Sequence, residues 1–211
     1  TGDLIRAKRR ETQNETLDKG WKVAAEHWDM VLRGASLGMT TTHALPTTPL
    51  RGALGLARKA LSEDIVPTLT SELPGGGKVR KPQTVPNPDA IFMPACVGTM
   101  FGTEHACGTG VGGAVRELAA YAGLRLSTPA GVQELCCGTP WKSKGLAKGY
   151  EVMKDKLTSW IVQHTHHGRI PLVCDNVSCT EGIIVALKNA GVEGITVMDA
   201  TEWVATYVAP V

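Results

Sequence analysis

The residues best equipped for chemistry are the cysteines. There are six, all between Cys96 and Cys179. Cys136 and Cys137 are adjacent in "VQELCCGTPWKSKG" and are followed at once by Gly138. Neighbouring cysteines rarely pair with each other, because a disulfide between them forces a strained ring onto the backbone. Thiolates do ligate soft and borderline metals, and a cluster of iron and sulfide needs several of them. Gly138 has no side chain, so the backbone there can come close to an inorganic sulfide. Buried thiols that serve only as small hydrophobes are the plain alternative for any one of these residues.

The elements that must position the cysteines follow from the pattern of apolar residues. "AIFMPACV" (90–97) predicts a buried strand, and "GGAVRELAAYAG" (112–123) a helix stopped by Gly123. "LRLSTP" is the second strand, residues 145–164 a long helix and "RIPLVCD" the third strand. "CTEGIIVALKNAG" is a further helix and "GITVMD" the fourth strand. Such alternation predicts an α/β fold: a small parallel sheet with flanking helices, in three Rossmann-like layers. In these folds the working site lies beyond the carboxyl ends of the strands. That rule puts Cys96 at the end of the first strand and Cys136 and Cys137 after the second. Cys174 ends the third strand, and Cys179 falls where the next helix begins. Five cysteines at strand ends, two of them adjacent, point to metal or cluster binding.

Upstream, Leu17, Trp21, Ala25, Trp28 and Leu32 share one face of a helix predicted over 14–36, with a short helix at 50–62. Residues 66–90 are rich in Pro and Gly and read as a linker or surface strap. The expected organisation is a helical arm (1–65), the linker (66–90) and a cysteine-rich α/β domain (91–211). The chain opens on Thr1 and "TGDLIRAKRRE", as expected of a piece of a longer protein.

Four other motifs carry weaker signals. Cys107, in "EHACGTG", reads as a loop thiol. "GTGVGG" (108–113) matches a dinucleotide fingerprint in letters, but it follows the strand too late and lacks the acidic partner. It reads as the entry to a helix whose N-terminus faces the cysteines. His164, His166 and His167 suit a helix C-terminus better than a zinc site. Lys142 and Lys144 either offset thiolate charge or are solvated.

The 211 residues are 43% hydrophobic and 20% charged, with a net charge of +2. That is long enough for a sizeable core. It offers no basic surface for nucleic acid and no run long enough to span a membrane. The cysteine pattern suggests a reducing compartment.

A single Cys, a gap, Cys-Cys-Gly, a similar gap and a closing Cys pair resemble the CCG, or cysteine-rich, domain family. Here 39 residues separate Cys96 from Cys136, and 36 separate Cys137 from Cys174. The family includes a component of heterodisulfide reductase and the iron–sulfur component of glycolate oxidase. "CCGTPWKSKG" and "IPLVCDNVSCTEG" look most like fusions of the cytochrome-linked D-lactate dehydrogenase type. These join a flavin-binding oxidase, a ferredoxin-like segment and CCG domains. The resemblance implies ligands at Cys96, Cys136, Cys137, Cys174 and Cys179, and a 4Fe-4S cluster, non-cubane where the family's has been defined. It implies FAD in an upstream domain, a second CCG domain as partner, and a quinone, cytochrome or thiol as electron acceptor. The implied location is cytoplasmic, or peripheral at the inner face of the membrane. The family's closing pair is Cys-x-x-Cys, whereas "CDNVSC" has four residues between. That departure favours Cys179 over Cys174 as a ligand.

Overall fold

A computed structural model of the chain describes residues 2–44, 74–102 and 109–210, with Gly52 and Gly55. The helix expected at 50–62, the first part of the 66–90 strap, Cys107 and Gly108 lie outside the described residues.

The chain begins with α1 (Gly2–Glu11), α2 (Glu15–Glu26) and α3 (Trp28–Ala44). Asn14 starts α2, its side-chain oxygen accepting the N–H groups of Thr16 and Leu17. The single helix expected over 14–36 is thus two helices, separated at His27, whose ψ of 39° leaves the helical range. The break does not disturb the apolar face: Ala25, Trp28 and Leu32 are all buried in one core.

Strand β1 (Ala90–Met93) is followed by the short α4 (Val97–Met100) and by α5 (Gly110–Tyr121). Then come β2 (Leu126–Ser127), α6 (Thr139–Lys144) and α7 (Ala147–His164). Strand β3 (Leu172–Cys174), α8 (Val177–Asn189), β4 (Val197–Asp199) and α9 (Ala200–Trp203) complete the order, with a π-helical turn over Val204–Val208. The four strands are parallel, in the order β2-β1-β3-β4. The fold is the expected α/β arrangement.

Alternation along the strands divides the core. Ile91 and Met93 of β1, with Leu172 and Cys174 of β3, face one side and pack with α2, α3, α7 and α8. Ala90, Phe92 and Val173 face the other and pack with α5 and α9. From β1 the chain crosses to β2 at one edge, then returns past β1 to β3 and β4. Consecutive connections therefore diverge from the carboxyl ends of β1 and β3. In open α/β sheets this switch point is where a binding crevice forms.

The helical arm is docked on the domain. Trp28 and Trp141 pack as a tilted pair with centroids 4.7 Å apart, and Trp21 meets Trp141 edge-on at 6.1 Å. The Trp141 indole N–H donates to the Trp21 carbonyl at 2.9 Å. Lys156 of α7 donates to the carbonyls of Ala25 and Glu26, where α2 ends.

Candidate metal centre

Cys96 is three residues beyond the end of β1, not at its end, and it precedes α4. Pro94 explains the early stop. It has no N–H to give to the ladder, and the next amide, Ala95 N–H, donates to an Asp175 oxygen at 2.6 Å. Cys136 and Cys137 lie between a 3₁₀ turn (Val132–Glu134) and α6. Cys174 is the last residue of β3, in register with Met93. Cys179 sits in the first turn of α8, which Asn176 caps by accepting the N–H groups of Ser178 and Cys179.

These segments bring five free thiols together on one side of the sheet. Cys96 and Cys136 share a hydrogen bond 3.4 Å long. The Cys137 thiol interacts with those of Cys136 and Cys179, and Cys179 with that of Cys174. The contacts run 96–136–137–179–174, from β1 to β3 by way of the double cysteine. Cys174 and Cys179 are both included despite their wide spacing. The thiols follow one another in a chain; among the described residues, no three Cys, His, Asp or Glu side chains form a site for a single metal ion.

Proximity shapes the protonation. The hydrogen bond to Cys136 holds Cys96 below the usual thiol range. Hydrogen bonds from Cys136 and Cys179 hold Cys137 lower still, at about 2, with help from Thr139, whose Oγ1 lies 3.2 Å from the Cys137 sulfur. Cys136 and Cys179 are pushed up, because their neighbours draw on their protons and burial disfavours charge.

Gly138 takes φ +83° at the start of α6, and a side chain there would meet the Tyr150 ring at 3.0 Å. Backbone conformation and the close ring thus account for this glycine, whatever else approaches it. Gly182 of α8 faces the same turn. A Cβ on it would lie 2.7 Å from Thr139 Oγ1 and 3.1 Å from Cys137 Cβ.

Residues that the sequence did not single out surround the thiols. Arg80, from the strap, is 8% exposed. Its guanidinium donates to the carbonyls of Pro94 (2.9 Å), Gln133 (3.3 Å) and Leu135 (2.7 Å). Burial pushes its pKa down, while Cys96, Cys136, Asp175 and Cys174 pull it back up. Among the described residues no carboxylate forms an ion pair with it. The indole N–H of Trp28 is buried without a hydrogen-bond partner and faces Cys96. Met153 accepts the Cys136 N–H on its sulfur at 3.2 Å. Burial raises the Asp175 carboxyl pKa, and the backbone N–H of Ala95 and the Arg80 charge act against it. Asp175 had a readable signal, as an acid at a strand's carboxyl end. Arg80 had none: "KVRK" in a Pro/Gly strap reads as solvated.

The other sequence candidates lie outside the thiol chain. Gly110, Gly112 and Gly113 of "GTGVGG" open α5, where Gly112 lies against Asp175 and Phe92. His164 closes α7 with its ring on Trp160 at 4.9 Å, and His166 and His167 turn the chain with φ of 49° and 58°. Lys142 is partly buried and Lys144 exposed, both in α6.

The donor set is soft sulfur, with the Arg80 cation and the Trp28 N–H beside it. That chemistry fits an anionic, thiolate-held group such as an iron–sulfur cluster. No protein family, curated protein or solved structure matches the chain. Among the described residues no helix is long and apolar enough to cross a membrane.

Proposed function

We propose that this chain is an iron–sulfur electron-transfer module of a flavin-dependent 2-hydroxy acid dehydrogenase, of the D-lactate or glycolate type. The observation that carries the iron–sulfur part is the continuous run of five thiols at the β1/β3 switch point, facing the buried Arg80 guanidinium. Cys96, Cys136, Cys137, Cys174 and Cys179 would hold the cluster. When bound, it supplies a centre that accepts and releases electrons. The chain's own residues hold the thiols in contact, exclude water from Cys136 and Cys174, and set positive charge from Arg80 against thiolate charge.

The dehydrogenase part rests on the resemblance to the CCG family. In that reading a flavin domain oxidises the hydroxy acid, and electrons pass through a ferredoxin-like domain to this module. A quinone, cytochrome or thiol acceptor takes them, with a second CCG domain as a partner in the cytoplasm.

Anaerobic reconstitution with iron and sulfide tests the proposal. Cys136→Ser and Cys137→Ser should each lower bound iron and abolish reduction of an artificial acceptor, while Cys107→Ser does neither. Serine keeps the shape but is a poor ligand for a soft site. A Cys137→Ser protein with full iron and full electron transfer would remove the centre of the reading. The 3.4 Å approach of Cys96 to Cys136 favours a second reading, thiol–disulfide exchange. Iron-free protein that reduces a disulfide at the expense of its own thiols would support it.

A further inference from the structure

We propose that a groove beside the sulfur site binds a small dianion, a dicarboxylate or inorganic phosphate. The groove has a volume of about 470 Å³ and is lined by Arg33, Lys78, Arg80, Lys81 and Gln133, with Val79 and Pro82, and no carboxylate is in its wall among the described residues. Its volume is that of a small-molecule site, and it is concave where a protein-docking patch would be flat. Arg33 is already paired with Asp29 at 2.9 Å. Lys78 and Lys81 take part in no ion pair among the described residues. Lys78 and Lys81 therefore share one cleft with Arg80, whose charge the thiols and Asp175 already face, and the repulsion among the three is relieved by an anion.

Two polar atoms of the lining residues lack a partner, each sealed beneath the groove surface. Arg80 is more than nine-tenths buried; its terminal nitrogens are taken by backbone carbonyls, but its Nε–H has no partner. The buried side-chain oxygen of Gln133 is also without one, and a rotation of that amide would present its NH₂ instead. A small side-chain shift that opens the Arg80 Nε–H to the groove would let a carboxylate or phosphate accept it with charge assistance. A second anionic group on the same molecule would reach the lysines.

Arg80 also touches the sulfur site, since Cys96 and Cys136 act on its charge. The consequence for redox rests on the iron–sulfur reading. An anion in the groove offsets the guanidinium, so adding an electron to the anionic cluster becomes harder and the midpoint potential falls.

The test is calorimetric titration of malonate and, separately, of inorganic phosphate into the iron-free full chain at constant ionic strength. Saturable binding of at least one is expected, weakened about tenfold or more in the K78E/K81E double variant. Lys188→Glu, on α8, should leave it unchanged. No saturable binding of either anion, or equal affinity in K78E/K81E, overturns the proposal. Near-ultraviolet circular dichroism checks that the double variant is folded; if it is not, K78Q/K81Q should weaken binding in the same direction, and unchanged affinity there overturns the proposal equally. Iron content separates the two readings. A wild-type chain that never takes up iron defeats the iron–sulfur proposal, while the calorimetry still decides the groove. In the loaded chain, a potential that does not move on saturation with the anion overturns the shared role of Arg80.

Discussion

Replacing Arg80 by methionine should separate the folding role of this residue from its role toward a bound cluster. Methionine keeps an unbranched apolar stem but removes the charge and the hydrogen bonds to Pro94, Gln133 and Leu135. Bonds from a charged donor are worth about 1.5–3 kcal/mol each before the donor's own desolvation is counted. Against that, removing the charge relieves the desolvation penalty of burying it, several kcal/mol for an ion in a protein interior. The downward push of burial on the Arg80 pKa shows that this penalty is present here. The three lost bonds outweigh that relief, and the Pro94, Gln133 and Leu135 carbonyls lose their donor, so iron-free Arg80→Met should lose about 2–5 kcal/mol in urea unfolding. The loaded protein differs, because net negative charge on thiolates and cluster then attracts the guanidinium. For unit charges ~5 Å apart in an effective dielectric of ~20, that attraction is about 3 kcal/mol. Iron should therefore be lost to a competing chelator about 100-fold more readily, with Arg80→Lys recovering part of the difference. The assay is anaerobic chelator competition read by iron release, beside urea unfolding of the iron-free forms. If Arg80→Met retains iron like wild type while Cys136→Ser does not, the counter-charge argument is refuted and the thiol site stands without it.

The remaining expectations concern packing and pH. Gly138→Ala should lose about 1–3 kcal/mol in urea unfolding, from its left-handed conformation and the Tyr150 ring 3.0 Å away. Gly123→Ala, also at positive φ but in open space, should lose only about 1 kcal/mol, and equal losses would mean that the Tyr150 contact is immaterial. Trp141→Phe removes the donor to the Trp21 carbonyl and should cost about 1–2 kcal/mol. It should also speed proteolysis within α2 and α3; unchanged proteolysis would show that the arm is not held through this contact. Burial and the neighbouring His166 hold His164 below its ordinary value of 6.5. The folded state therefore binds that proton less readily than the unfolded chain. Stability is present above the unfolded pKa and is lost as pH falls below it, through the lower folded value. His164→Gln should flatten this slope, and a slope unchanged in the variant would assign it elsewhere.

The α/β alternation was legible because apolar runs and glycine stops bracket each element: Gly123 follows α5 and Gly191 follows α8 at positive φ. Strand lengths were less legible. The run from Ala90 to Val97 is apolar throughout, yet only Ala90–Met93 pairs, since Pro94 cannot donate and Ala95 turns to Asp175. The interruption at His27 was hidden for the opposite reason. Ala25, Trp28 and Leu32 keep helical spacing across it, so the pattern reads as one continuous face. At the candidate site the thiols were legible from chemistry and from the strand-end rule. Arg80 was not, because its burial depends on a strap whose composition carries no periodicity, and only the docked position of that strap takes it out of water.

The closing cysteines show how an unusual spacing can serve a common geometry. A Cys-x-x-Cys pair on one helical turn places both thiols on the same face; the four intervening residues of "CDNVSC" would not do so within a single regular element. Here the pair straddles two elements. Cys174 finishes β3, and its side chain takes the face shared by Met93 and Leu172. Asp175 leaves the strand by accepting the Ala95 amide, which ties the β1 and β3 ends together. Asn176 then reverses the chain into α8 by capping Ser178 and Cys179, so that the Cys179 thiol returns beside Cys174. The helix can approach only because Gly182, on the next turn, presents no side chain to Cys137 and Thr139. The strand end, the cap and that glycine together replace the short motif, and the double cysteine then needs to bridge only from Cys96 to Cys179. Adjacent residues are suited to that span: with their side chains diverging from one turn, Cys136 meets Cys96 while Cys137 meets Cys179.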